Sequence, residues 1–113
     1  MIFLKGTIKE NREFVYAYRR GKKVVSRAMV LHYYRNRTGV TRLGITATKA
    51  VGGAVQRNRA KRLIRECWRQ AAPGIKPGYN VIIAARSALS SASLQEAQRN
   101  LQYCLQKTEL TAP

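Results

Sequence analysis

The residues of this chain with the most distinctive chemistry are the cations of the segment 57–69. The segment holds six Lys or Arg side chains and one acid, Glu66. If it is helical, at about 100° per residue, five of the cations share one arc of the helix and the apolar side chains share another. We call the first group the cationic arc. It consists of Arg57, Lys61, Arg62, Arg65 and Arg69, with Asn58 lying among them.

Two interpretations of the cationic arc are open from the residues alone. Most runs of charge are solvated faces, but such faces usually support themselves with Glu–Lys pairs four residues apart. The arc contains no acid, so its neighbouring cations repel one another in the absence of a partner. This favours a face that binds a polyanion. Arg59 lies near 200° on the same wheel, outside the arc, and its assignment to that face is weaker.

The composition of the whole chain supports a polyanionic partner. Its 22 Lys and Arg residues against 5 acids give a net charge of +17, which costs the compact state self-repulsion and attracts polyanions. Arg outnumbers Lys by 14 to 8. Because a guanidinium grips phosphate with two hydrogen bonds and stacks on bases, this excess favours structured nucleic acid over an anionic membrane.

The same composition argues against catalysis by the chain's own side chains. There is no Asp, and the five Glu residues are scattered, whereas two-metal phosphate chemistry needs clustered carboxylates. We therefore predict no catalytic residue and no metal ligand. His32 is expected to be packed or solvated, and Cys67 and Cys104 to be core residues rather than a disulfide.

These residues must be positioned by one domain, because 113 residues suffice for a single core. The strands 24–34 and 41–48, around a turn at 35–39, are predicted to pair as an antiparallel hairpin. The strand 79–85 is apolar throughout, which is typical of a strand covered on both faces. The cationic helix is then a crossover between neighbouring strands, right-handed by base rate. The predicted helices span residues 10–20, 54–72 and 94–107.

No membrane segment is expected. No apolar run approaches the ~18–20 residues of a membrane helix, and Met1–Leu4 is too short for the core of a signal peptide. We expect a soluble, cytoplasmic protein with no membrane partner.

Four segments of the chain, in order and spacing, resemble the protein subunit of bacterial ribonuclease P. The segment 52–66 matches the family's Arg-Asn-Arg run and basic helix, and residues 44–49 and 81–86 match the strands before and after it. Phe14 and Tyr18 stand where the family has paired aromatics on its first helix. The resemblance implies a two-layer α/β (α+β) sandwich with a four-stranded type of sheet, three helices and a left-handed crossover. The left-handed crossover implied by the resemblance replaces the right-handed one expected from base rates.

The resemblance also implies a function for residues 1–113 as a single RNA-binding domain. The family's protein binds a catalytic RNA subunit and the 5′ leader of precursor tRNA, and assists endonucleolytic removal of the leader. The protein itself is expected to bind no cofactor; Mg²⁺ is expected on the RNA partner, with one protein per RNA.

Site residues follow from the resemblance position by position. The RNA-binding residues it implies are Arg57, Asn58, Arg59, Lys61, Arg62, Arg65 and Arg69. The residues of a cleft for the single-stranded leader are Phe14, Tyr18 and Lys49. From the residues alone, core packing is the preferred explanation for the spacing of the two aromatics. With the resemblance, we expect both to be partly exposed. The chain departs from the family pattern at Ala50, where a second Lys is common, and at Gly53, where an Asn is common.

Two other functional classes stay open at this point. A structural RNA-binding module, resembling a ribosomal protein domain, would share the charge and the fold but would show no affinity for a leader. A protein nuclease acting alone would cleave RNA without an RNA subunit, which the shortage of carboxylates disfavours.

Overall fold

The computed structural model describes residues 4–111, which form one mixed sheet with helices on both faces. Residues 1–3 and 112–113, and with them most of the segment on which the signal-peptide prediction rests, lie outside this range. Single 3₁₀ turns at Ala72–Gly74 and Ser87–Ser91 flank the last strand. The strands are β1 (Leu4–Thr7), β2 (Lys22–Val25), β3 (Met29–Arg35), β4 (Thr41–Thr46) and β5 (Tyr79–Ala85). The helices are α1 (Asn11–Arg20), α2 (Ala54–Ala71) and α3 (Leu94–Gln106).

The strand β5 lies at the centre of the sheet, in the order β1-β4-β5-β3-β2. It pairs antiparallel with β3, with Leu31 opposite Ile83, and parallel with β4, with Ile45 opposite the same Ile83. The predicted class of one sheet and three helices in an α+β fold is confirmed. The crossover is also confirmed, because α2 connects the parallel neighbours β4 and β5; its hand stays a prediction.

The predicted hairpin between the strands 24–34 and 41–48 is wrong. β3 and β4 are consecutive in the chain, but β5 inserts between them and pairs with both. Loop 36–40 therefore spans a strand's width instead of making a tight turn. The side chain of Asn36 holds it, donating to the Val40 carbonyl at 2.8 Å and to Asn80 Oδ1 at 2.9 Å.

The single strand predicted over 24–34 is two strands. The chain turns at 26–28, and β2 folds back antiparallel onto β3, with Val24 opposite Leu31. Ser26 makes the turn, because its hydroxyl donates to the Met29 carbonyl at 2.8 Å and its oxygen accepts from the Met29 N–H at 3.2 Å. Val24 and Val25 before Ser26, and the apolar residues Met29, Val30 and Leu31 after it, conceal this break in the sequence pattern.

The structure adds a fifth strand and a third layer to the prediction. β1, which the sequence pattern did not indicate, pairs parallel with β4 at the sheet edge. α1 covers one face, with Ala17 in a cluster with Ile82, whereas α2 and α3 cover the other, with Val81 and Ile83 in the main core. Two layers become three because β5 buries apolar side chains on both of its faces.

The two long helices form where the pattern predicts them. In α2, the buried residues Ala60, Ile64, Cys67 and Trp68 recur at spacings of three and four and face the sheet. α3 begins with the predicted capping box, in which Ser93 accepts from the Glu96 N–H and Glu96 accepts from the Ser93 N–H. Both cysteines are free and buried, as predicted. Within residues 4–111, no helix is both long and apolar enough to cross a bilayer.

Candidate nucleic-acid interface

α2 presents the cationic arc away from the sheet. Asn58, Arg62 and Arg65 are exposed, and Arg57 and Lys61 are half-buried. Among the described residues, no carboxylate lies within ion-pair distance of Arg57, Lys61, Arg62 or Arg65. Four cations therefore share one helix surface with no neutralising partner from within residues 4–111.

Arg69, the last cation of the arc, is neutralised within the helix. It pairs with Glu66 three residues earlier, and this hydrogen bond holds the pKa of the Glu66 carboxyl below its usual range. The helical wheel places Glu66 near 180°, outside the arc, but its side chain reaches across to Arg69. The open part of the arc thus runs from Arg57 to Arg65.

Arg59 is engaged with the chain itself. Its guanidinium donates to the carbonyls of Ser90 and Ala92, both at 2.8 Å, and to that of Leu89 at 3.4 Å. These carbonyls belong to the connection between β5 and α3. The position of Arg59 near 200° on the wheel explains this, because that side of α2 faces the connection.

The aromatic residues of α1 lie between the helix and the sheet. Phe14 is half-buried against Ile8 and Ile82. Its ring passes directly over Gly44 of β4, where an added Cβ would lie only 3.0 Å from the ring. Tyr18, one turn later, keeps 46% of its surface exposed. The partial exposure expected for this pair is confirmed, although Phe14 also packs as a core residue.

Tyr18 connects α1 to two strands. Its ring packs edge-on against the ring of His32 on β3, with centroids 4.7 Å apart, and its hydroxyl lies 3.4 Å from Thr46 Oγ1 on β4. A second aromatic pair, Tyr16 on Tyr34, repeats the contact of α1 with β3 at 4.7 Å. Sequence reasoning missed His32, Thr46 and Tyr34 as site residues. The period-2 spacing of His32 and Tyr34 on a strand was the available signal, since it places both on one face.

Beyond Tyr18 the sheet surface is open. Val30 and Thr46 flank Ala84 in register on three adjacent strands, and all three are half-buried. We call this surface, with Tyr18 and His32 at its side, the α1 groove. Lys49 is exposed and follows Thr46 by three residues, in the turn between β4 and α2. The α1 groove and the first turn of α2 therefore lie at the same end of the sheet.

His32 is the ionisable group of the groove. It is almost fully buried, and its Nδ1 has no hydrogen-bond partner within the described chain. Burial lowers the pKa of His32, and the charge of Lys23, its antiparallel neighbour on β2, lowers it further. The imidazole is therefore held in its neutral form near pH 7, as a flat aromatic surface beside Tyr18.

The described residues offer no cluster of metal ligands. Over residues 4–111, no three His, Cys, Asp or Glu side chains gather closely enough to hold a metal ion. The side chains brought together here are cationic, aromatic or hydroxylic. Such groups bind phosphates and stack on bases.

Comparison with known proteins agrees with this geometry. The model of the family described as "Ribonuclease P" matches residues 5–109. The ribonuclease P protein component of Clostridium kluyveri is 39% identical over 105 residues, covering 91% of this chain and 94% of its own length. That of Clostridium botulinum (strain Loch Maree) is 38% identical over 101 residues, covering 88% and 91%. The solved structure of the Staphylococcus aureus RNase P protein superposes with a TM-score of 0.81 at 30% identity, covering 94% of this chain and 97% of its own.

Proposed function

The chain belongs to the ribonuclease P protein family, and we propose on this basis that it binds the catalytic RNA subunit of ribonuclease P and the 5′ leader of precursor tRNA. Bound in this way, it assists endonucleolytic removal of the leader to make the mature 5′ end. One observation carries the proposal: four cations on α2, unneutralised within residues 4–111, lie at the same end of the sheet as an open aromatic groove. The two surfaces suit two kinds of RNA, folded and single-stranded.

The cationic arc is proposed to bind the folded RNA. Arg62 and Arg65 point into solvent, where each guanidinium can hold a phosphate with two hydrogen bonds. Arg57 and Lys61 add charge from partly covered positions, and Asn58 adds an amide. Counterions released from the RNA then supply much of the binding free energy, which makes the affinity strongly dependent on salt.

The α1 groove is proposed to hold the leader. Tyr18 offers a half-exposed ring supported from below by the buried, neutral ring of His32, and Lys49 offers a nearby charge. Stacking on aromatic rings tolerates every base, at ~1–3 kcal/mol each, which suits a leader of variable sequence. Ala50 stands where the ribonuclease P protein family commonly has a second Lys, so this groove presents less positive charge to the leader.

Hydrolysis is proposed to take place on the RNA partner, with Mg²⁺ bound there. The described residues contain no carboxylate cluster to hold that ion, so no step of the reaction is assigned to this chain's own side chains. The chain's contribution is to bind and orient. We propose one protein per RNA, working in the cytoplasm.

Reconstitution tests the proposal. The full chain is added to a bacterial ribonuclease P RNA subunit at low Mg²⁺, where the RNA alone cleaves poorly, and release of the 5′ leader from a precursor tRNA is measured. We expect the protein to restore cleavage. Folded protein that gives no restoration counts against the proposal. Equal affinity for precursor and leaderless tRNA would favour a structural RNA-binding module, and cleavage by protein free of RNA would favour a protein nuclease.

A further inference from the structure

A second cationic surface lies between α3 and the turn that joins β2 to β3. Two adjoining depressions there, of about 240 and 450 Å³, share Arg27, Arg99 and Asn100 in their walls. We call the two together the α3 trough. Asn100 fixes α3 against the turn, because its Oδ1 accepts from the Ala28 N–H at 3.0 Å. The trough is therefore bounded by elements whose relative position is set by a hydrogen bond.

Three arginines line the α3 trough: Arg27, Arg86 and Arg99. All three are exposed, and none has a carboxylate within ion-pair distance among residues 4–111. Arg86 is held in place, because its Nη1 donates to the Ser26 carbonyl at 2.8 Å. Its remaining N–H groups are free to bind a ligand without a further loss of side-chain entropy.

Glu96 also lines the trough but does not neutralise it. Its carboxylate accepts from the Ser93 N–H at 2.9 Å, as part of the cap of α3. Its hydrogen bonds with Ser93 chiefly lower the pKa of Glu96, and the charges of Arg99 and Arg27 lower it further, yet neither arginine forms an ion pair with it. Three guanidinium groups around one committed carboxylate leave the trough with a net positive charge, which fits an anionic ligand.

An exposed aromatic ring completes the surface. Tyr103 lies one turn after Arg99 on α3, lines the larger depression and keeps 47% of its surface exposed. The ammonium of Lys107 lies 5.4 Å from the centre of the ring. An aromatic ring flanked by cations is the combination that binds single-stranded nucleic acid, since a base stacks on the ring while its phosphates meet the charges.

We propose that the α3 trough binds a single-stranded segment of RNA, with phosphates on Arg27, Arg86 and Arg99 and a base stacked on Tyr103. This site goes beyond the proposed function, which uses the cationic arc and the α1 groove. It is a separate surface, because Ser87–Ser91 lies between α2 and the trough and is tied to α2 through Arg59.

The location of binding is tested by NMR on the full chain. A short oligouridylate is titrated into ¹⁵N-labelled protein carrying Arg62→Gln, Arg65→Gln and Tyr18→Ala, which weaken competing binding at the cationic arc and the α1 groove. We expect the amide signals of Arg27, Arg99 and Tyr103 to shift in a saturable manner. Signals at the trough that stay unshifted while the protein is folded overturn the proposal.

Two sets of variants test the chemistry in the same background. Arg27→Gln with Arg99→Gln removes two phosphate contacts. The slope of log affinity against log salt concentration should become shallower by about 1.4, since each phosphate contact of a single strand contributes about 0.7. The affinity should fall by about 25-fold at about 0.1 M salt. The control, Arg35→Gln with Arg37→Gln, removes the same charge from the far end of β3, about 20 Å away at 3.3 Å per residue. This control variant should bind the oligouridylate with nearly the same affinity as the background protein.

Stacking is tested by Tyr103→Leu, which should lower the affinity about fivefold or more, and by Tyr103→Phe, which keeps the ring and should bind normally. A polyglutamate peptide is the second probe. If it shifts the trough amides as strongly as RNA and Tyr103→Leu has no effect, the trough binds an acidic protein surface and the proposal is overturned. The cleavage assay is independent of these results, because a failure there leaves oligonucleotide binding at the trough unchanged.

Discussion

The guanidinium of Arg59 donates a 2.8 Å hydrogen bond to the carbonyl of Ala92, thirty-three residues later in the chain. It donates a second of equal length to Ser90. A side chain within an Arg-Asn-Arg run thus fastens α2 to the segment that leads into α3. The same run contains Arg57, which has no such partner among residues 4–111. Neighbouring arginines of one motif therefore have different structural roles.

Arg59→Ala should chiefly destabilise the fold. Hydrogen bonds to a charged group contribute about 1.5–3 kcal/mol, and the half-buried position of Arg59 limits their screening. We expect urea unfolding to show a loss of about 1–3 kcal/mol, with RNA affinity reduced less than in Arg62→Ala. If the free energy of unfolding of Arg59→Ala equals that of the wild type but its RNA affinity is lower, then the Arg59 side chain releases the carbonyls of residues 89–92 and binds RNA instead.

Arg62→Gln and Arg65→Gln should weaken binding to the RNA subunit with little effect on stability. Both side chains are exposed and unpaired within residues 4–111, so each removal should reduce the salt slope by about 1. Affinity is measured between about 50 and 200 mM salt. The matched control is Arg69→Gln on the same helix, where Glu66 already neutralises the charge and the expected loss is smaller. A salt response equal to the wild type would contradict the role of the arc.

Tyr18→Ala should reduce affinity for precursor tRNA in the reconstituted complex by about 1–3 kcal/mol, the contribution of one stacked base. Tyr18→Phe keeps the ring and loses only the hydroxyl near Thr46, so it should bind almost normally. The measurement is the difference in affinity between precursor and leaderless tRNA. An equal loss for both RNAs would show that Tyr18 supports the fold and not the leader.

Trp68→Ala should destabilise the protein by ~3–5 kcal/mol, since the ring is 1% exposed in the main core. Thermal or urea unfolding measures this loss. Val55→Ala, on the exposed side of the same helix, serves as the control and should change stability by less than about 0.5 kcal/mol.

Stability should fall as the pH drops below about 6.5, the ordinary pKa of histidine. The lowered pKa of His32 means that the unfolded chain binds the proton more readily than the folded chain does. Protonation therefore favours unfolding, and the stabilisation present above pH 6.5 is lost toward the lower folded-state pKa. Unfolding midpoints of wild type and His32→Leu are compared at roughly pH 7.5 and 5.5, above the range of the carboxylates. A decline of equal size in both proteins would assign it to other groups.

Local patterns were sufficient for the helices. The apolar spacing of Ala60, Ile64 and Cys67 predicted the buried side of α2, and Ser93 with Glu96 predicted the start of α3. These signals depend on residues within one or two turns of each other. The aromatic pair of α1 was also identified from sequence, although only the resemblance gave it a functional meaning.

Strand pairing was less accessible, because it depends on residues far apart in the chain. The residues near the loop 36–40 do not indicate that β5, some forty residues later, inserts between β3 and β4. The contacts of Arg59 with Ser90 and of Tyr18 with Thr46 are long-range in the same way. A helical wheel gives the direction of a side chain but not the partner it meets.

The connection 47–53 between β4 and α2 has a geometric consequence. Thr46, the last residue of β4, lies in the α1 groove, and Gly53 caps the start of α2. This short stretch therefore sets the distance between the α1 groove and the cationic arc. Gly52 adopts a φ of 140° within it, a value that side chains rarely permit. In the proposed function, the protein thereby acts as a spacer of fixed length between a strand of RNA and a folded one. Lengthening the connection by a residue would change the number of nucleotides that fit between them.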